Sequence, residues 1–447
     1  MKVTDPMMSS SEQCVCGKAH DIPIKLIEVS EDMLSKLSQY LQQEQLKRIL
    51  IVADDNANQV LGQAVFDTLE HDRLSPKAFV FTGNTRLLPD EKAIERVTGQ
   101  IRTYQADVVL AVGGGVINDI VRFTTFQEGI RYISIPTAPS GDAFTSDVAP
   151  LLLNGLKVTK SAQTPEAIFA KPSVLSSAPW VLIQSGFGDL IAKITAISDW
   201  KLGHFLYGEY FCENAYELIR KPLIESIQNI EGLQKRDVQA VSTLFMGLVQ
   251  SGIAIAMAGS PRPASGSEHH CSHIWDFFAS KHLREYAPHG IQVGFATHWI
   301  IEFYKNISQL KAIKDPVPYT LSETWKQETQ KFYEASANEV IDAQLRKQEW
   351  MEANRVHWKT NEPTTEKLLA YLQPEIELFE QVKQAITAMG IPWEIGFIGV
   401  DEAILRETFI HAKELRHRYT ILDFLFGQGE LDRYIDDVID QQKAQSA

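Results

Sequence analysis

The chain has 447 residues, of which 44% are hydrophobic and 22% charged; such a composition suits a globular protein with room for two or three cores. Its net charge of −14 excludes nonspecific nucleic-acid binding, because phosphates repel it at long range; a small anion would need only a local positive pocket. No run reaches the ~18 uninterrupted apolar residues of a membrane-spanning helix, and MKVTDPMMSSSEQCVCGKAHDIP lacks the apolar core of a signal peptide, so a cytoplasmic location without membrane insertion is expected.

The four cysteines, Cys14, Cys16, Cys212 and Cys271, are too few and too scattered for a disulfide framework. Cys14-x-Cys16-Gly-x-x-His20 could hold a metal, but no fourth ligand lies nearby in the sequence, and reduced thiols near a terminus are the plainer expectation. Short apolar runs follow: RILIVAD at 48–54, AFVFT at 78–82, ADVVLAV at 106–112 and RYISIP at 131–136. Stretches of helical length, such as 56–72 and 90–104, lie between them. Short buried strands alternating with helices predict a parallel sheet covered on both faces. After residue 180 glycine thins out and apolar residues recur at helical spacing, as in VSTLFMGLVQSGIAIAMAG. Two domains are expected: an α/β domain over 1–180 and an all-α domain over 181–447.

AVGGGVIND places Gly113, Gly114 and Gly115 between a strand and a helix carrying Asn118 and Asp119. Side-chain-free backbone lets a pyrophosphate approach, and the first helical N–H groups would face it. A plain tight turn would also use glycine. Asp54, at a strand end, suits an adenosine ribose or a helix cap. SIPTAPSGDAFTSD, at 134–147, is a hydroxyl-rich loop suited to polar ligand contacts.

GSEHHCSHIWDFFASKHLREYAPHG, at 266–290, holds five of the chain's twelve histidines. Ser265 and Glu268 fit a capping box. His269 and His273, four apart, share a helical face, whereas His270 points elsewhere, toward solvent. His289 follows Pro288 and opens the next helix, so His269 and His289 can converge. A catalytic metal takes about three protein ligands and an open position. Asp189 of SGFGDLIAK, read as the start of an apolar helix, is either the third ligand or a cap. Cys271 lies about 200° around the helix from His269 and His273 and is not expected to join them.

In order, GGGVIND, IPTAPSGDAFTSD, GFGDLIAK, SGSEHHCSHIWD and HGIQVG resemble the iron-containing alcohol dehydrogenase superfamily, which includes glycerol dehydrogenase and 3-dehydroquinate synthase. RPASGSEHHCSH, RHRYTILDFLFGQG and the early CxCG look most like its bacterial-type sn-glycerol-1-phosphate dehydrogenase branch. The resemblance implies a dehydroquinate synthase-like fold, with a dinucleotide-binding domain followed by a helical metal- and substrate-binding domain. It implies Asp189, His269 and His289 as ligands of one divalent ion, nickel or zinc. Gly113–Gly115, Val116, Ile117, Asn118 and Asp119 would follow the diphosphate of NAD, or NADP, with Asp54 at the ribose. Thr137, Ala138, Pro139, Ser140 and Ser146 would line the rest of the cofactor. Asp142, His273 and Asp189 would touch substrate hydroxyls, Asp189 and His273 being the catalytic pair. The activity implied is reversible reduction of dihydroxyacetone phosphate to sn-glycerol 1-phosphate by a homodimer. Arg262 is the candidate for the substrate phosphate, with Lys157 and Lys160 behind it. A polyol dehydrogenase of the same superfamily and a non-catalytic metal- or nucleotide-binding member are the alternatives.

Overall fold

The computed structural model describes residues 14–20, 22–83, 87–153, 156–315 and 321–446, without the side chains of 156, 157 and 446. The leader expectation on residues 1–13 and the Lys157 side chain lie outside the described residues.

The chain divides into two compact units, Met1–Leu190 with Ile224–Gly259, and Ile191–Leu223 with Ser260–Ala447. The first is built on a six-stranded sheet: β1 (Leu26–Val29), β2 (Arg48–Asp54), β3 (Ser75–Phe81), β4 (Val108–Gly113), β5 (Arg131–Pro136) and, beyond a hairpin, β8 (Ala167–Ala170). The hairpin pairs β6 (Val148–Leu153) with β7 (Leu156–Ser161). Strand order in the sheet is β1-β8-β5-β4-β2-β3, with every pairing parallel. Side chains alternate across it. Ile49, Ile51 and Ala53 pack on one face beneath α1 (Met33–Gln43) and α2 (Gln63–His71). Leu50 and Val52 pack on the other beneath α3 (Glu91–Tyr104) and α4 (Gly115–Glu128). β4 is buried along its whole length, as a central parallel strand covered on both sides must be.

From β2 the chain goes to β3 on one side and then to β4 on the other. That reversal opens a crevice at the carboxyl ends of β2 and β4, where open α/β sheets bind their ligands. Asp54 ends β2 and Gly113 ends β4.

The long helix α5 (Trp180–Tyr207) and the next, α6 (Glu213–Gln228), each run unbroken from one unit's residues into the other's. α7 (Val238–Ala258) belongs to the first unit. The second has helices and loops but no strand among its described residues, and includes α8 (Ser267–Ser280) and α9 (His289–Asn306). By length and composition α5 and α7 could cross a membrane, but 83% and 78% of their apolar windows are buried, which makes them core helices.

Candidate metal and nucleotide site

At the β4–α4 turn, the first intrahelical bond runs from the Asn118 amide to the Gly114 carbonyl. The amides of Gly115, Val116 and Ile117 are therefore the orphan donors of the helix start. Beta carbons added at Gly114 or Gly115 would meet nothing within 4 Å, so the space over these amides is open. A diphosphate fits that cradle. Asn118 and Asp119 are expected along the diphosphate, but their side chains turn inward. The Asn118 amide group donates to the Gly113 and Gly114 carbonyls and its oxygen accepts from Ser134, which pins the turn to β5. Asp119 is buried 3.6 Å from Arg122. Asp54 caps the short helix Asp55–Ala57, accepting from the Ala57 amide at 2.8 Å.

The 137–147 loop is held by backbone contact with α5. A beta carbon at Gly186 would sit 1.7 Å from the Pro139 carbonyl oxygen, so only glycine permits this approach. The Thr137 amide donates to the Gly113 carbonyl, Ser185 donates to the Ser140 carbonyl, Ala138 is buried, and Ser146 bonds the Val148 backbone. Lys160 is exposed on β7.

One turn beyond Gly186 stands Asp189. It does not start its helix, as the glycines before it suggest, but lies in the third turn of α5, 1% exposed. One carboxylate oxygen accepts the Asp142 amide at 2.9 Å, and the Asp142 carboxylate accepts from Ser251 at 3.0 Å.

His269 lies in the first turn of α8 and His289 opens α9; their rings are 5.0 Å apart. Asp189, His269 and His289 each offer one ligand atom, all within 4.8 Å of one another, and Cys271 is not in the group. Two imidazoles and a carboxylate leave room for a fourth, exchangeable ligand, the donor set of a catalytic divalent ion. Further contacts orient the rings. The Glu268 carboxylate bonds His269 Nδ1 at 2.7 Å, turning Nε2 to the group. Ser272 meets His289 Nδ1 at 3.3 Å. His273, half-buried, stacks 6.4 Å from the His289 ring.

Glu268 does not form the box expected with Ser265. α8 begins at Ser267, and Glu268 reaches back to the Gly266 amide at 2.8 Å while also accepting from Thr195. Gly266 is required there, since a beta carbon would come within 2.8 Å of the Ala196 Cα on α5. Asp199 takes the Ser267 amide, the Ile421 amide and the Tyr304 hydroxyl. Burial, with Glu268 close by, raises Asp199 to about 6.

Two further expectations change. His270 is not solvated but fully buried, its Nε2 3.3 Å from Arg418 and its Nδ1 without a partner among the described residues. Arg262 does not present a free guanidinium to a phosphate. It is buried, donates through Nε and Nη2 to Glu209, and gives Nη1 to the Tyr419 carbonyl. Arg418, by contrast, bonds only the Ser265 carbonyl and His270, and no carboxylate pairs with it among the described residues. Burial, with Arg262 and Arg416 nearby, lowers Arg418 to about 9. Arg416 and His417 beside it are exposed. Sequence reasoning passed over this Arg-His-Arg triplet as chemistry; three basic side chains in a row in an acidic chain were the available signal.

Residues 28–179 match the iron-containing alcohol dehydrogenase family profile. The glycerol-1-phosphate dehydrogenase [NAD(P)+] of Geobacillus thermodenitrificans is 34% identical over 344 residues, 76% of this chain and 84% of that protein. The Geobacillus stearothermophilus enzyme of the same name is 36% identical over 68% of this chain and 76% of its own length. The chain belongs to the glycerol-1-phosphate dehydrogenase family. Among solved structures, a probable glycerol dehydrogenase from Sinorhizobium meliloti aligns with TM-score 0.61 at 15% identity, over 94% of this chain and 97% of that one. An iron-containing alcohol dehydrogenase from Thermococcus thioreducens aligns at 0.62 and 14%, over 94% and 100%. These two share the fold.

Proposed function

We propose that the chain is a metal-dependent, NAD(P)-linked dehydrogenase that reversibly reduces dihydroxyacetone phosphate to sn-glycerol 1-phosphate. The observation that carries this reading is the convergence of Asp189, His269 and His289, in a chain whose relatives bear that activity in their names. When bound, a divalent ion, nickel or zinc, supplies Lewis-acid polarisation of the ketone, and the reduced nicotinamide supplies hydride.

The chain's own residues do the rest. The amides of Gly115, Val116 and Ile117 bind the cofactor diphosphate, and Asp54 takes a ribose hydroxyl. Thr137–Ser140 and Ser146 line the remainder of the cofactor. The Asp142 amide holds the Asp189 carboxylate in place, and the Asp142 carboxylate, steadied by Ser251, accepts a substrate hydroxyl. Glu268 and Ser272 fix the ring orientations of His269 and His289. His273 delivers a proton to the C2 oxygen as hydride reaches C2, and recovers it in the reverse direction.

The substrate phosphate goes to Arg418 and Arg416 rather than Arg262. Among the described residues no carboxylate bonds the buried Arg418 guanidinium, and a phosphate has the matching bidentate geometry. His270, bonded to Arg418 and adjacent to His269, places this charge beside the ligand histidines. The enzyme acts as a cytoplasmic homodimer.

The test is NADH oxidation with dihydroxyacetone phosphate, followed by chiral identification of the glycerol phosphate, with and without chelator. Glycerol as the preferred substrate, or metal-loaded protein with no turnover, would overturn the reading. Arg418→Met should raise KM for dihydroxyacetone phosphate at least ~10-fold and leave KM for NADH within twofold. Equal effects on both would remove Arg418 from the phosphate site.

A further inference from the structure

Cys14-x-Cys16-Gly-x-x-His20 supplies three donors and, in the sequence, no fourth. The fold supplies it. Cys14, Cys16, His20 and Cys212 each offer one ligand atom, and all four atoms lie within 4.8 Å of one another. The local geometry is a tight knuckle. The Gly17 amide donates to the Cys14 carbonyl at 2.8 Å, and the Cys14 amide donates to the Lys18 carbonyl at 3.1 Å. Gly17 has φ +83°, the left-handed conformation that turns the chain back so that both thiols and the imidazole face one point. Cys16 Sγ and His20 Nε2 are 3.3 Å apart. A tetrahedral zinc ion, with its usual bonds to sulfur and nitrogen, sets its ligand atoms about 3.5–3.8 Å apart.

Cys212 is fully buried in the short turn between α5 and α6. The turn is held at two points: the Tyr210 carbonyl accepts the Trp200 indole N–H at 2.7 Å, and Phe211 packs on Trp200 and Tyr216. The Cys212 thiol is the fourth donor that a tetrahedral site needs. A disulfide would use two of the three sulfurs and leave the imidazole without a purpose. Three sulfurs and one nitrogen select a soft or borderline ion and leave no open position. The Asp189 group, with two imidazoles and a carboxylate, is chemically different and keeps one.

We propose that Cys14, Cys16, His20 and Cys212 bind a structural zinc ion. Binding replaces the three thiol protons, which leave to solvent, and oxidises nothing.

The test is metal content per chain by inductively coupled plasma mass spectrometry, on protein purified under reducing conditions from zinc-supplemented culture. Asp189→Asn should retain one zinc per chain, and adding Cys212→Ser or Cys16→Ser to it should remove that zinc. Because the cysteine variants can fail to fold, cobalt replacement is measured on Asp189→Asn itself, whose four sulfur and nitrogen donors are intact. It should show intense thiolate-to-cobalt charge transfer and tetrahedral ligand-field bands. Asp189→Asn protein that purifies without zinc and shows no thiolate–cobalt absorption overturns the proposal, as does a Cys14–Cys16 disulfide found by alkylation and mass spectrometry.

Discussion

Replacing Glu268 with glutamine isolates the charge behind His269. The carboxylate makes three contacts: Oε1 with the Gly266 amide at 2.8 Å and His269 Nδ1 at 2.7 Å, and Oε2 with Thr195 at 2.7 Å. Glutamine can keep all three. Its oxygen stays on the Gly266 amide and His269, and its amide group turns to Thr195, whose hydroxyl already has the Ala192 carbonyl as an alternative acceptor at 2.9 Å. Only the negative charge behind the imidazole is lost. An outer carboxylate of this kind is worth about 10–100-fold in metal affinity, about 1.4–2.8 kcal/mol. Because the bonds survive, the variant should fall at the lower end, about tenfold weaker. Glu268→Ala, which also orphans the buried Gly266 amide, should reach about a hundredfold. The assay is competition for zinc against a chromophoric chelator, with circular dichroism confirming the fold. Zinc affinity within twofold of wild type in both variants would refute the argument and reduce Glu268 to a helix-end contact.

Asp189→Asn should lower chelator-sensitive turnover by more than ~100-fold while far-ultraviolet circular dichroism stays unchanged; retained turnover would sink the assignment of the ligand. Gly186→Ala must push the Pro139 carbonyl away from 1.7 Å, and overpacking of this kind costs about 1–3 kcal/mol; a lower melting temperature and a raised KM for NADH are expected, and an unchanged melt would contradict the close approach. For Glu166, burial alone would raise the carboxyl, but Arg131, Tyr40 and Lys25 bring it down to about 2. Its folded value lies below the ordinary 4.5, so its stabilisation is full above pH 4.5 and is lost as pH falls through about 2. Because Arg131 and Lys25 are partly exposed, the contribution is on the order of 1–2 kcal/mol. Glu166→Gln should flatten stability against pH in that window, measured by urea titration, and an unchanged slope would refute the linkage.

The central sheet was legible because β2, β4 and β5 are buried on both faces and so read as short, mainly apolar runs. β1 and β8, four residues each, are too short to stand out, and β6 and β7 form a separate hairpin with no βα rhythm. Asp189 was misplaced within its helix because Gly186 and Gly188 look like a helix start; Gly186 is in fact the contact point for a neighbouring carbonyl. His270 and Arg262 were misjudged for one reason. Each is buried by a partner distant in sequence, Arg418 for the first and Glu209 with Tyr419 for the second, and neighbouring residues do not encode such pairings. Cys212 escaped notice as a fourth donor on the same ground.

The hydrogen bond from the Asp142 amide to the Asp189 carboxylate ties the loop we propose for the nucleotide to the carboxylate we propose for the ion. Whatever displaces that loop also changes how much electron density the carboxylate can lend a cation. On the proposed function, occupancy by the coenzyme and occupancy by the ion are linked equilibria, and each alters the other's dissociation constant by the same factor.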